Sequence, residues 1–199
     1  MKGVFDFVVT PKSGRYTNTK TIGDIKLIVN TELQNHIFVS RIGIVVATPN
    51  LNPTGIKKGD EVILHHNVFR RYRDIRGEEK NSRSYYKDNM YFVSLDQIFA
   101  HKHTTKWIPL DGFNFVKPIK EDKMFSIDFE KPLVGILKYK DPNLNEVEEG
   151  DLIGFAPGAE YEFLIDKEKL YRVPTNLITI KYEYQGNEEE YNPSWATSS

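Results

Sequence analysis

The chain has 199 residues, a formal net charge of −1, five His and no Cys. The absence of Cys excludes disulfide scaffolds, Cys-ligated metal centres and thiol nucleophiles. The near-zero charge gives no bulk attraction to nucleic acid or to an anionic membrane surface. No apolar run approaches the roughly 20 residues of a membrane helix, and no signal-peptide core precedes the first charges. We therefore expect a soluble, cytoplasmic protein without a cofactor.

Along the chain, apolar residues alternate with polar ones in short β-branched runs, which is the pattern of half-buried strands. The runs are residues 4–9, 25–29, 42–46, 61–64, 113–116, 134–137, 152–155, 161–165 and 177–180. Ten Pro and thirteen Gly interrupt the chain too often for ordinary helices. The only single-turn helical candidates are residues 94–98 and their later counterpart. The sequence predicts an all-β protein built as small barrels.

Five short patterns occur twice in the same order, which indicates an internal repeat. The pairs are residues 5–12 with 113–118, 42–45 with 134–137, 50–52 with 143–145, 58–63 with 149–154, and 90–98 with 170–178. Two copies of one β-domain explain them, at 1–106 and 107–185, followed by a disordered acidic tail at 186–199. The alternative, that strand-rich sequences align by chance, stays open at this point.

The first copy is longer than the second in two places. One extra segment, at about 12–27, is polar and rich in Gly and Thr, so it buries little apolar surface and is expected to be a mobile loop. The other, at about 70–88, is charged and is expected to form a hairpin insertion. The second copy is the plainer version of the domain.

The second copy resembles the GroES-like co-chaperonin family. The resemblance rests on a Gly-Asp pair that opens a strand (Gly150-Asp151, repeated as Gly59-Asp60), a short hairpin, and an Ile-rich final strand at 176–180. In the first copy, a loop ending in Gly and a short apolar segment at 23–27 precedes the strand with a central Gly, residues 42–46. The resemblance implies two tandem small GroES-like β-barrels. Many members place a hairpin that roofs the ring before Gly-Asp, and this sequence lacks it. A tandem chain without the roof is most similar to bacteriophage-type members.

The resemblance implies a function: a ring that caps a chaperonin, for which the host's chaperonin is a candidate, and that assists ATP-dependent folding of an unfolded client protein. Nucleotide then belongs to the chaperonin, and the chain needs no cofactor. The loop residues expected to bind the chaperonin are Ile22, Gly23, Ile25 and Leu27. The sequence departs from the family pattern at residues 24–26, where an Asp and a Lys replace a Gly and an aliphatic residue. The alternative, that 25–29 is an ordinary buried strand, stays open.

Basic and aromatic residues are interleaved at Arg70, Arg71, Tyr72 and Arg73. Such a pattern can hold a phosphate backbone while rings stack on bases, or it can form a subunit contact. Two Glu follow shortly after, and the chain as a whole is not basic, so nucleic acid is not the expected partner. Two alternatives to a co-chaperonin remain: a structural assembly protein such as a virion component, and a nucleic-acid-binding barrel.

The remaining constellations do not predict an enzyme or a metal site. His65 and His66 are expected on opposite faces of a strand, where they cannot share a metal. His101 and His103 are expected on one face, but no Asp, Glu or Cys lies near them at ligand spacing. No nucleophile motif or phosphate-binding Gly loop is present.

Overall fold

The structure, a computed structural model, describes residues 2–17, 19–22, 24–28, 38–51, 54–121, 130–183 and 186–197, with the backbone alone for 19–22 and 25–28. Its described residues form antiparallel strands with a single short α-helix, which confirms the predicted all-β class. No helix in these ranges is both long enough and apolar enough to cross a membrane. The chain divides into two compact units, Met1–Trp107 and Ile108–Ser199.

In unit 1, the main sheet has the strand order β8-β1-β4-β5-β9, while β2–β3 and β6–β7 are separate hairpins. A 3₁₀ turn at Leu95–Gln97 leads into β9. The strands are β1 (Phe7–Pro11), β2 (Thr19–Ile22), β3 (Ile25–Ile28), β4 (Ile42–Ala47), β5 (Glu61–Leu64), β6 (Arg71–Arg73), β7 (Glu79–Asn81), β8 (Tyr91–Val93) and β9 (Ile98–Lys102).

In unit 2, the strand order of the sheet is β14-β15-β11-β12-β13-β16. A 3₁₀ turn at Thr175–Leu177 leads into the last strand. The elements are β10 (Ile108–Pro109), β11 (Phe113–Lys120), β12 (Glu130–Tyr139), β13 (Leu152–Phe155), β14 (Tyr161–Ile165), β15 (Glu168–Pro174), β16 (Ile178–Lys181) and helix α1 (Ser194–Thr197).

Five strands of each unit correspond in order: β8-β1-β4-β5-β9 matches β15-β11-β12-β13-β16. The register corresponds too, because Pro11 pairs with Gly43 as Pro118 pairs with Gly135. Each first strand carries a β-bulge two residues before that Pro. A second bulge recurs where β5 meets β9 and where β13 meets β16. The two units therefore share one topology down to its irregularities, while closure into barrels remains a prediction.

The register corrects one of the sequence matches by a single residue. The pattern of residues 5–12 aligned Phe7 with Phe115. The pairing of β1 with β4 and of β11 with β12 instead makes Val8 the equivalent of Phe115. A shift by one residue exchanges the two faces of a strand. Phe5, which precedes β1, is 66% exposed, and its apparent counterpart Phe113 lies under the Arg172 guanidinium, 5.1 Å from the ring centre.

The Gly-Asp pairs build the same turn in both units. Gly59 and Gly150 have φ of 93° and 97°, a conformation that Gly adopts without steric cost. The carboxylate of Asp60 accepts the backbone N–H of the residue three positions earlier at 2.8 Å, and that of Asp151 does so at 2.7 Å. The following strand begins at this fixed turn, so the motif sets where β5 and β13 start.

Each unit has its own apolar core. In unit 1 the largest fully buried side chains include Trp107, Tyr91 and Phe69, with the last two rings in edge contact at 4.8 Å. In unit 2 the rings of Phe115 and Phe163 meet at 5.9 Å. Burying such aromatic side chains supplies most of the stabilisation of a small domain.

The C-terminal segment differs from the disordered acidic tail expected at 186–199. Within its described part, Glu190 bridges to Ile119 of β11, and Ala196 in α1 is fully buried. Ion pairs add to these contacts, Lys117 with Glu190 at 2.5 Å and Lys120 with Glu189. The acidic run lies against unit 2 because its backbone pairs with β11 and its carboxylates face two lysines.

Candidate partner-binding loop and its base

The two ends of the connection between β1 and β4 are hydrogen-bonded to each other, and they form what we call its paired base. Beyond the last β1–β4 pair, Lys12 N–H donates to the Ile42 carbonyl at 3.1 Å, and Ser40 N–H donates to the Arg15 carbonyl at 2.9 Å. Thr17 N–H then donates to the Phe38 carbonyl at 2.8 Å. Residues 12–17, expected to be the first part of a mobile loop, instead continue the ladder with residues 38–42. The loop proper therefore begins after residue 17.

The hairpin β2–β3 occupies the described part of that loop. Ile22 pairs with Ile25, and Lys20 pairs with Leu27. Directly opposed residues share a face of an antiparallel pair, as do residues two apart on one strand. Ile22, Ile25 and Leu27 therefore take positions on a single face together with Lys20, and Thr21 and Lys26 take positions on the other face. Gly23, the fourth residue predicted to bind a partner, lies outside the described residues.

Arg15 fixes the base of the loop to the charged hairpin β6–β7. Its Nε donates to the Phe69 carbonyl at 3.1 Å, and its Nη1 donates to Asn81 Oδ1 at 2.7 Å. The guanidinium also lies over the rings of Tyr85 and Tyr91, at 5.9 and 5.5 Å from their centres. Burial lowers the pKa of Arg15 below its usual range, although an arginine so placed remains charged at neutral pH. The Arg15 side chain thus contacts both the segment that enters β6 and the end of β7.

Tyr16 makes a second contact between the loop base and the hairpin. Its hydroxyl accepts the backbone N–H of Arg71 at 2.7 Å, and the Arg71 guanidinium lies 5.0 Å from its ring centre. Tyr16 also bridges to Val39 on the opposite side of the loop base, and Val39 is buried. The loop base and the charged hairpin, the two segments that lengthen unit 1, are therefore in direct contact.

The structure places Arg70, Arg71, Tyr72 and Arg73 at the start of this hairpin, interleaved with acidic residues. Arg71 pairs with Glu79 at 2.5 Å, and Arg73 lies opposite the same Glu79 in the strand register. The cations of β6–β7 are thus accompanied by carboxylates within the hairpin. Tyr72 is 41% exposed, and its placement is compatible with a subunit contact.

Unit 2 has no counterpart of comparable length for this loop. Its equivalent connection spans only residues 121–129, of which 122–129 lie outside the described residues. Next to that connection, Glu130 accepts hydrogen bonds from Lys169 and from the Tyr171 hydroxyl. Burial and the neighbouring carboxylate of Glu130 raise the pKa of Tyr171 to about 12. Among the residues that the structure describes, a hairpin in this connection occurs in unit 1, whereas the ladder of unit 2 ends at the pair Lys120–Glu130.

The histidines lie differently from expectation. His65 and His66 follow β5 in a turn, with stacked rings 4.3 Å apart, so they do not point to opposite faces of a strand. Asp60 lies 2.6 Å from His103 Nδ1 and 3.6 Å from His101 Nδ1. The expectation of no acidic neighbour was therefore wrong, because β5 pairs with β9. Burial nevertheless lowers the pKa of His101, and the described residues offer no group of three ligands that could hold a metal.

A shallow apolar hollow lies on the outer side of β8. Its lining includes Val4, Phe5, Tyr86 and Phe92, and these side chains are between 41% and 66% exposed. The rings of Tyr86 and Phe92 lie 4.8 Å apart. Clustered exposed apolar residues of this kind mark contact surfaces more often than isolated ones do.

Sequence reasoning missed Arg15 and Tyr16, whose side chains form hydrogen bonds with residues 54 or more positions further along the chain. The only local signal was a basic–aromatic pair within an otherwise small and polar segment. Comparison with protein-family models finds no match to this chain, and comparison with curated proteins finds none either.

Proposed function

We propose that the chain is a tandem GroES-like co-chaperonin, which forms a ring and binds a chaperonin through the β2–β3 hairpin to assist ATP-dependent folding of client proteins. The observation that carries the proposal is the loop of unit 1. Of two units with the same topology, one bears a long connection with a paired base and a hairpin that brings Ile22, Ile25 and Leu27 to one face.

Such a loop would bind its partner weakly at each single site, while a ring would present several loops at once. An apolar hairpin face can dock into an apolar groove of the partner, and ordering the loop on docking keeps the affinity of each single site low. Several loops presented by one ring restore avidity while each remains releasable. The chain supplies binding in this mechanism, and the chaperonin supplies nucleotide hydrolysis.

A structural assembly protein is the second candidate, and the apolar hollow beside β8 favours it. Exposed Val4, Phe5 and Phe92 would serve subunit contacts in a ring or in a larger particle. A ring is common to both candidates, so oligomerisation alone does not separate them. Binding to a chaperonin does.

The test is size-exclusion chromatography with light scattering of the full chain, alone and mixed with a bacterial chaperonin plus ADP or ATP. We expect a nucleotide-dependent shift of the chain into the chaperonin peak, and its loss in the double variant Ile25→Ser with Leu27→Ser. The matched control, Thr21→Ser with Lys26→Ser, changes the other face of the same hairpin and should keep the shift.

Three results would overturn all or part of the proposal. A discrete ring that never joins the chaperonin peak would favour the structural assembly protein. A monomer that never shifts would exclude both the ring and the chaperonin as partner. Equal loss of binding in the two double variants would show that the apolar face is not the contact.

A further inference from the structure

We propose that the charged hairpin β6–β7 is a positioning element for the β2–β3 hairpin, with Arg15 and Tyr16 as the clamp between them. The partner-binding part of this inference rests on the proposed function, since the element positioned is the candidate chaperonin-binding hairpin. The clamp itself rests on contacts within unit 1.

The geometry makes Arg15 the main member of the clamp. Its three donors reach the carbonyls of Phe69 and Arg70 and the side chain of Asn81, at 3.1, 3.4 and 2.7 Å. Residues 69–70 immediately precede β6, and Asn81 ends β7, so the guanidinium bridges the two strands at their base. Only a planar, multidonor group can make these contacts together, and a lysine ammonium cannot.

The hairpin can hold the clamp because its own base is anchored in the core. Val68 and Phe69 are fully buried, and the Ser82 hydroxyl donates to the Val68 carbonyl at 2.6 Å. The far end of the hairpin is exposed and carries no core contact: Ile75, at its tip, is fully exposed. A hairpin that supports the neighbouring loop needs a base that is held in place, and the base of β6–β7 meets this requirement.

The position of the clamp along the loop determines its effect. Arg15 and Tyr16 lie just before residue 17, where the paired base ends, so they fix the point from which the β2–β3 hairpin projects. If both contacts are lost, residues 12–17 are no longer held against the residues that precede β4. The segment that connects the fixed parts of β1 and β4 then lengthens from about 18–37 to about 12–41. Closing a longer loop on a partner costs about twofold in affinity per loop, and this cost multiplies over a ring.

The experiment measures the full chain in two ways. Hydrogen–deuterium exchange of the Thr17 and Ser40 amides, which donate across the loop base, reports the clamp without any partner. Titration with a bacterial chaperonin plus ADP reports loop presentation. We expect Arg15→Ala to speed exchange at both amides by on the order of tenfold and to weaken chaperonin binding by on the order of tenfold. Arg15→Lys should not rescue either.

Two further variants complete the design. Tyr16→Phe removes only the hydroxyl that accepts the Arg71 N–H, so it keeps the fold and should show smaller changes in the same direction. Arg76→Ala, at the exposed turn of the hairpin, makes the same charge change away from the clamp and should alter both readouts by less than about twofold.

The outcomes separate the clamp from the proposed function. Unchanged exchange in Arg15→Ala and Tyr16→Phe would overturn the clamp. Faster exchange with unaltered chaperonin affinity would overturn its positioning role. If the unmodified chain never binds the chaperonin, the proposed function and the positioning role both fail, while the exchange data still decide whether the two segments are coupled.

Discussion

Gly135→Ala should destabilise unit 2 by about 3 kcal/mol, through steric overlap in a sheet that cannot move apart. A Cβ at this position would lie 2.5 Å from the Lys117 carbonyl oxygen and 2.6 Å from Val116 Cγ1. Gly135 pairs with Pro118 on one side and with Ile153 on the other, so relief requires displacement of a central strand. Urea unfolding, followed separately in each unit by hydrogen-exchange mass spectrometry, measures the loss in the free energy of unfolding.

The repeat supplies a matched comparison for this prediction. Gly43 is the equivalent residue of unit 1, but its added Cβ would meet first the Leu64 side-chain end, at 3.0 Å. Because no atom lies closer than 3.0 Å to the added Cβ, its neighbours need only small shifts, and Gly43→Ala should cost only about 1 kcal/mol. Gly55→Ala, with nothing closer than a His101 ring at 4.0 Å, should lie within about 0.5 kcal/mol. Equal losses at Gly43 and Gly135 would contradict the steric explanation.

Local patterns allowed much of the fold to be predicted. Alternating apolar residues identified most strands of the two sheets, but not β8, β9 or β15. The Gly-Asp pairs marked two equivalent turns, because Gly conformation and Asp capping depend on residues only three positions apart. The error of one residue in aligning the first strands has a physical cause. The pattern Phe-x-Phe recurs in sequence, but register is set by the pairing of Pro11 with Gly43 and of Pro118 with Gly135.

The candidate site was only partly accessible from sequence, because its decisive contacts are long-range. The loop residues could be proposed from their apolar pattern and from the family resemblance. The clamp could not, since Arg15 meets Phe69 and Asn81 only after β6 and β7 have folded beside the loop base. Asp60 was missed as a neighbour of His103 for the same reason: strand pairing, not spacing within one strand, brings them together.

Asp141→Asn should destabilise unit 2 by about 2–4 kcal/mol, because the buried carboxylate accepts three hydrogen bonds and an amide cannot replace all of them. Asp141 Oδ2 accepts from Gly112 N–H at 2.9 Å and from the Thr175 hydroxyl at 2.6 Å, and Oδ1 accepts from Asn143 N–H at 2.9 Å. Asn114 donates to Thr175 Oγ1 at 2.9 Å, which fixes the direction of the Thr175 hydroxyl. An amide NH₂ would therefore face a donor.

The same carboxylate makes the stability of unit 2 dependent on pH. Burial alone would raise the pKa of Asp141, but hydrogen bonds from Thr175, Asn143 and Gly112 outweigh it, so the pKa lies below its ordinary value. A depressed carboxyl pKa gives stability that is present above the unfolded-state pKa of about 3.9 and is lost as pH falls through the folded-state value. Acid should therefore destabilise unit 2 of the unmodified chain over that window, and Asp141→Asn should remove part of the pH dependence.

Urea unfolding at pH 7 and at pH 3, monitored in unit 2 by hydrogen exchange, tests both expectations. The control is Asp111→Asn. The Asp111 carboxylate is exposed and accepts a hydrogen bond from Asn143 Nδ2 at 3.0 Å, so its substitution should change stability by less than about 0.5 kcal/mol. The three hydrogen-bond partners of the Asp141 carboxylate all belong to unit 2, so the stability of unit 1 should not change in Asp141→Asn. An equal loss in the two carboxylate variants would mean that net charge, rather than the buried network, controls the stability of unit 2.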